Sequence, residues 1–159
     1  LAFALNNAYA AVIKPDNEAG LRTIVNANQK VLNYQVADQQ IVALTSKSNY
    51  SSSVLTFTPN YLTAQYDFSM QWLAKKQNLP IPNTQLQTSD QLVYLIVEPD
   101  REIPEKRFLP WYQKVSENRV RLRKEKVGVL LLETWANADF ALHNQLPIYQ
   151  ENIAEQMCW

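Results

Sequence analysis

The sequence predicts an α/β fold: a small mixed sheet of about four or five strands, flanked by helices and ending in a β-hairpin and a helical tail. Three observations predict it. "LVYLIV" (92–97) is an unbroken apolar run, as expected of a strand buried on both faces at the centre of a sheet. Before and after it lie stretches whose apolar residues recur at helical spacing. Further on, "RVRLRKEK" alternates and "VGVLLLETWA" runs apolar, as two paired strands do.

Taken in order, the chain opens on "LAFALNNAYAAVI", apolar but interrupted by Asn6 and Asn7. A bilayer span needs about 20 consecutive apolar residues, so this stretch cannot cross alone. It also lacks the charged start of a signal peptide. A chain that begins at Leu1 reads as a processed or truncated piece. Residues 1–17 are then either the trailing end of a membrane helix or an amphipathic helix packed on the domain.

Asp16 or Asn17 caps a helix over 18–38, with Glu18 in its first turn, where the dipole favours an anion. Leu21, Ile24, Val25, Leu32 and Val36 form its apolar stripe. Residues 41–44 read as a short strand or as the end of that helix. "SKSNYSSS" is a surface loop carrying the sequon at Asn49, and 54–57 is a strand stopped by Pro59.

The next helix starts near Asn60. Leu62, Tyr66, Ser69 and Leu73 share one face, Tyr61, Phe68 and Trp72 an adjoining one, and Lys75 and Lys76 sit at the negative end. The aromatic stripe reads as core at this spacing; its alternative is a platform for sugar rings or bases. A proline-containing loop then leads to the central strand. "EKRFLPWYQKVSEN" is a third helix, bent or restarted at Pro110. The hairpin is placed with its turn near Glu125 and Lys126 and with Arg119, Arg121 and Arg123 on one basic outer face. Residues 18–136 make the compact domain. Residues 137–159 make the tail, of one or two short helices, with Pro147 suited to a helix start.

Composition narrows the function. At 159 residues the chain is one ordinary domain, and at 47% hydrophobic and 19% charged it folds rather than remaining disordered. Fifteen basic and fifteen acidic residues cancel, which argues against a nucleic-acid partner. A single cysteine, Cys158, provides no internal disulfide and no Cys-rich zinc site. Gly20 and Gly128 are the only glycines, too few for a P-loop or a dinucleotide fingerprint. No cofactor or metal is implied.

The residues that invite a chemical reading are Glu98, Asp100 and Arg101, at the carboxyl end of the buried run, where ligands of open α/β sheets gather. Their plainer reading is structural: Pro99 ends the ladder, Asp100 accepts turn amides, and Arg101 or Arg107 balances the charge. Tyr61, Tyr66, Trp72 and Trp111 are the candidate carbohydrate or partner contacts. His143 is the lone histidine, with no nucleophile elbow to serve.

The order of these pieces ("TFTPNY", "YDFSMQWLAKK", "LVYLIVEPD", "EIPEKRFLPWY" and a terminal hairpin) resembles a C-terminal extracytoplasmic domain. That domain follows the last membrane helix in some bacterial glycosyltransferases of the dolichyl-phosphate-mannose–protein mannosyltransferase type. The resemblance spans about residues 18–135 and is best at 92–100; the loop "SKSNYSSS" and the tail after Trp135 depart from it. It implies an enzyme that moves a sugar from a polyprenyl-phosphate carrier to an acceptor outside the cytoplasm. The catalytic carboxylate of such enzymes lies in a loop between membrane helices that has no counterpart here, so no catalytic residue carries over. This chain is then an accessory domain on the extracytoplasmic face of a bacterial membrane (periplasm or cell surface). Its partners are the membrane portion of its parent and a glycan or protein acceptor. A free-standing interaction module or subunit of a larger assembly, cytoplasmic or not, is the alternative. A third reading is a small hydrolase or metal-dependent enzyme, which requires Glu98, Asp100 and His143 to converge on one cleft.

Overall fold

The computed structural model describes residues 20–45, 50–59 and 63–150. The opening segment, the caps at Asp16 and Asn17, the sequon's Asn49, Asn60, Tyr61, Leu62 and the last nine residues lie outside them.

Helix α1 (Leu21–Thr45) leads to β1 (Ser52–Phe57), α2 (Ala64–Lys76) and β2 (Leu92–Val97). Helix α3 (Phe108–Ser116), the hairpin β3 (Arg119–Val127) and β4 (Leu130–Asn137), and the short α4 (Ala138–His143) follow. The sheet is mixed, in the order β1-β2-β4-β3, with β1 and β2 parallel and the other pairs antiparallel. The mixed α/β architecture is the one the sequence predicts.

All six residues of β2 are buried. Leu92, Tyr94 and Ile96 face α1 and α2, while Val93, Leu95 and Val97 face α3. Three layers follow: two helices, the sheet, and one short helix. Residues at the i, i+3, i+4 positions of α1 (Ile24, Ala27, Val31, Leu32, Val42) supply one side of the larger core. The stripe continues to Val42, so residues 41–44 are the end of the helix and not a strand.

Two polar side chains interrupt that stripe, and both make hydrogen bonds to neighbouring elements. Asn28 Nδ2 donates to the Tyr66 carbonyl at 2.9 Å and to the Ser69 hydroxyl, tying α1 to α2. Asp38 accepts from the Tyr94 hydroxyl at 2.9 Å and from Arg123 Nη1 at 2.7 Å, tying α1 to the sheet. Burial and the neighbouring Asp38 push the Tyr94 hydroxyl well above the ordinary phenol range.

Several boundaries differ from expectation, each for a physical reason. Ser52 and Ser53 belong to β1 rather than to the loop. Ser53 is fully buried because its hydroxyl donates to Asp90 Oδ2 at 2.6 Å. Pro110 is the third residue of α3, where its missing N–H leaves no intrahelical bond unmade, so it opens the helix rather than bending it. The hairpin turns at Gly128–Val129 and not at Glu125–Lys126, which are paired β3 residues. Gly128 has a φ of +61°, as the first position of a tight II′ loop requires. Residues 147–150 are not helical, so Pro147 does not start a helix among the described residues. Tyr149 N–H donates instead to the Arg121 carbonyl at 2.8 Å, on the outer edge of β3.

Gly128→Ala is expected to destabilise the fold. The positive φ costs an L-residue about 1–2 kcal/mol, and the added Cβ would stand 2.9 Å from Thr23 Cγ2. Denaturant titration measures it, and an unchanged midpoint contradicts the account. Tyr94→Phe removes a hydrogen bond to a buried carboxylate and is expected to cost about 1.5–3 kcal/mol by the same measurement.

Candidate functional site

The site begins with an irregularity in β3. Its register against β4 shifts between Arg121 and Arg123, so Leu122 is the extra residue of a bulge. Before the shift, Val120 and Leu122 face the α1/α2 core and Arg121 faces the α3 layer. After it, Arg123, Glu125 and Val127 take the α1 side, and Lys124 and Lys126 join Arg121 on the α3 side. The expected single basic row is therefore corrected: the bulge turns Arg123 away to Asp38. Lys30 and the Tyr34 hydroxyl both donate to Glu125.

On the α3 side lies a cleft of about 970 Å³, bounded by β3 and β4, the turn after β2, and the first turns of α3. Val97, Leu131, Phe108, Tyr112 and Trp135 make it predominantly apolar. Arg101 stands on the turn, and Arg121, Lys124 and Lys126 project from β3.

Glu133 sits buried in its floor, the side chain 1% exposed. Oε1 accepts from Arg121 Nη1 at 2.9 Å, and Oε2 accepts from the Tyr112 hydroxyl at 2.7 Å and Trp135 Nε1 at 2.8 Å. One carboxylate thus fixes three side chains of the cleft. Arg121 also lies over the Trp135 and Tyr149 rings, at 5.5 and 5.1 Å from their centroids. Burial and then Glu133 drive the Tyr112 hydroxyl far above its usual range, so it stays protonated and keeps donating.

Asp100 is the second carboxylate of the lining. It pairs two-pronged with Arg107, Nε to Oδ2 and Nη2 to Oδ1, both at 2.7 Å, and Oδ1 accepts the amides of Glu102 and Ile103. Arg107 Nη1 reaches on to the Pro59 carbonyl at 3.1 Å. The Arg107 guanidinium, helped by the two amides, holds the Asp100 carboxyl below the usual carboxylate range. Arg107 balances this turn.

The other sequence candidates are dispersed. Glu98 accepts from the Tyr66 hydroxyl at 3.2 Å, on the α2 side of the sheet. Tyr66 is 3% exposed, so its ring belongs to the core and cannot serve as a surface contact. Phe68 and Trp72 correct the expectation of a buried stripe: they are 65% and 47% exposed, with Lys76 over the Trp72 ring at 5.0 Å. The buried face of α2 is instead Tyr66, Ser69, Met70, Leu73 and Ala74. Trp111 is half-buried against Phe57, ring centroids 5.2 Å apart.

His143 lines a different depression with Gln91, at the start of β2. Glu98 follows the end of that strand, and six residues span about 17 Å. Glu98, Asp100 and His143 therefore do not meet, and no group of three or more metal-binding side chains occurs among the described residues.

Sequence reasoning missed Tyr112, Lys124, Lys126, Glu133 and Trp135 as cleft residues. One signal was there to find them. Val120 and Leu122 are in phase with each other, but Val127 is five residues beyond Leu122, out of phase, which only an inserted residue reconciles.

No helix among the described residues is long and apolar enough to cross a membrane. No protein family, curated protein or solved structure matches the chain.

The depressed Asp100 carboxyl makes a pH prediction. Its ion-paired form stabilises the fold at pH values above the unfolded pKa of about 3.9. That contribution is lost as pH falls from there through the lower folded value. Asp100→Asn should melt below the native protein by a constant margin between neutrality and mild acidity, and the margin should close below about pH 4. A margin that persists unchanged into acid contradicts it.

Proposed function

We propose that this chain is a non-catalytic recognition domain. It is of the extracytoplasmic, accessory kind that its resemblance to polyprenyl-phosphate-dependent glycosyltransferases implies. On this reading the cleft beside α3 receives part of an acceptor or partner, and a membrane-embedded portion of the parent protein makes the glycosidic bond. One observation carries the reading: among the described residues, both carboxylates that line the cleft are already committed. Glu133 is engaged by three donors, and Asp100 by a two-pronged arginine and two amides.

An acid–base pair needs one carboxyl that can hold a proton and give it up near neutral pH. The Asp100 carboxyl moves the other way, toward permanent ionisation. What the cleft offers is an apolar, aromatic wall held rigidly by buried hydrogen bonds, which suits binding by shape and stacking. Trp72, exposed on α2, provides a separate contact surface for the parent or for a partner.

The test pairs turnover with binding. Purified chain supplied with a polyprenyl-phosphate sugar and acceptor peptides is expected to transfer and hydrolyse nothing. On an array of peptides and glycans it should retain ligands whose affinity falls roughly tenfold or more in Trp135→Ala, in line with loss of an aromatic anchor. Turnover of a glycan, ester or phosphoanhydride by the isolated chain sinks the proposal.

A further inference from the structure

Helix α2 carries aromatic residues on the side it leaves exposed. Tyr66, Met70, Leu73 and Ala74 are buried in the core shared with α1 and the sheet, which fixes the helix about its own axis. Phe68 and Trp72 stand exposed on the opposite side, one turn apart. Lys75 and Lys76 close the helix. By helical geometry they fall about 60° to one side of Trp72 and about 40° to the other, with Phe68 between Lys75 and Trp72. Lys76 Nζ lies 5.0 Å from the Trp72 ring centroid. The outward face of α2 is two aromatic rings with an ammonium on each flank.

The exposed charge of the two-helix layer has one sign. No exposed residue of α2 is acidic; its one carboxylate, Asp67, is half-buried and accepts from the Thr63 hydroxyl at 3.3 Å. The adjoining α1 has a single carboxylate, Asp38, buried and held by Arg123. The exposed charged residues of these two helices are therefore Arg22, Lys75 and Lys76. Glu98 and Glu125 reach this side of the sheet, where they accept from Tyr66 and from Lys30 and Tyr34.

We infer that the outward face of α2 is a docking surface for an anionic lipid bilayer, with Phe68 and Trp72 seated at the boundary of headgroups and acyl chains and Lys75 and Lys76 reaching lipid phosphates on either side. Aromatic rings favour that depth, and lysine stems lie along the apolar boundary while their ammonium groups stay among the phosphates. No helix among the described residues is long and apolar enough to cross, so the contact runs along the surface. A bilayer suits this face better than a protein does, for a geometric reason. At about 1.5 Å per residue and about 10 Å across, α2 offers a convex strip of roughly 200 Å², whereas a stable protein interface buries about 800 Å² on each partner. A bilayer demands no matching outline. The inference gives the exposed surface at Trp72 one occupant. It stands apart from the recognition reading, because the cleft opens on the other side of the sheet. A domain resting on α2 holds that cleft toward the water.

Sedimentation of the purified chain with phosphatidylcholine vesicles, with and without phosphatidylglycerol, is the direct measurement. The chain is expected to partition onto the anionic vesicles at least about tenfold more strongly than onto the neutral ones, and less as salt is added. Phe68→Ala/Trp72→Ala should lower that partition by about tenfold or more through lost apolar burial. Lys75→Gln/Lys76→Gln should do about as much on anionic vesicles and little on neutral ones. Lys106→Gln/Lys114→Gln, before and on α3, leaves it unchanged. Vesicles with brominated acyl chains give a second readout, since bromine quenches an indole that comes near it. The bound native chain is expected to lose tryptophan emission. Bound Trp72→Phe, which keeps an apolar ring at the site, is expected to lose much less.

Absence of binding to anionic vesicles, equal partition onto neutral and anionic ones, or a folded Phe68→Ala/Trp72→Ala protein that binds unchanged overturns the inference. Quenching undiminished in Trp72→Phe does so too, because another tryptophan then faces the lipid. Should the double alanine variant lose its native circular dichroism, Lys75→Glu/Lys76→Glu takes its place, and a folded form with unchanged partition is again fatal. Sedimentation velocity runs alongside: self-association removed by the same variants, without vesicle binding, assigns the face to a second copy and overturns the inference. These outcomes leave the recognition reading standing; turnover by the chain removes that reading and leaves this one.

Discussion

A strand that is buried on both faces cannot exist without a layer on each. β2 is such a strand, and the remaining architecture follows from covering it. One face is large enough for two helices, so α1 and α2 share it. The other is covered by α3, a helix of nine residues. At about 1.5 Å per residue α3 is roughly 14 Å long, too short to roof the whole α3 side of a four-stranded sheet. The half of the hairpin it fails to reach is where the cleft lies. The site is thus a consequence of unequal cover over a fully buried strand, with no dedicated loop to build it.

Unequal cover alone would expose an apolar floor and invite aggregation. Glu133 alters that outcome. Burying a carboxylate costs several kcal/mol unless its lone pairs are filled, and here three donors fill them. The same bonds hold Tyr112 to β4, Trp135 to its own strand and Arg121 across the hairpin. A floor built in this way is polar enough to tolerate water and rigid enough to present aromatic rings at fixed positions. Removing Glu133 would break its bonds to Tyr112, Arg121 and Trp135 together, so the group behaves as a unit and single truncations overstate any one contact.

How far the sequence could be read depended on whether a signal was local. The apolar run at 92–97 has one physical interpretation, and the buried strand is there. Helical spacing placed α1 and α2, and it put Tyr66, Ser69 and Leu73 on one face of the latter, the face the structure buries. Trp72 went the wrong way because apolar character on a helix does not say which of two adjoining faces meets the sheet; that is decided by α1, more than 25 residues earlier. Glu98 and Asp100 were legible as a turn with a proline between them. Their partners Tyr66 and Arg107 come from opposite layers and were only partly legible. The hairpin turn was misplaced because charge was weighed above the single glycine. The cleft residues Tyr112, Glu133 and Lys124 come from separate elements, and their convergence is tertiary information. The exception is the phase break between Leu122 and Val127, which was local and readable.

That phase break also sorts β3 by residue type. Each of its three arginines is used to join parts of the fold. Arg119 donates to the Val115 carbonyl, Arg121 to Glu133, and Arg123 two-pronged to Asp38. Planar, permanently charged guanidinium groups are suited to this work, because a fork of donors can satisfy a buried carboxylate and stack on a ring, as Arg123 does over Tyr34 at 5.1 Å. The two lysines after the bulge stand on the cleft. The bulge is what makes this division work: it sends the last arginine of the row to the α1 layer, where a bidentate partner waits, and turns the lysines toward the one face that α3 leaves open.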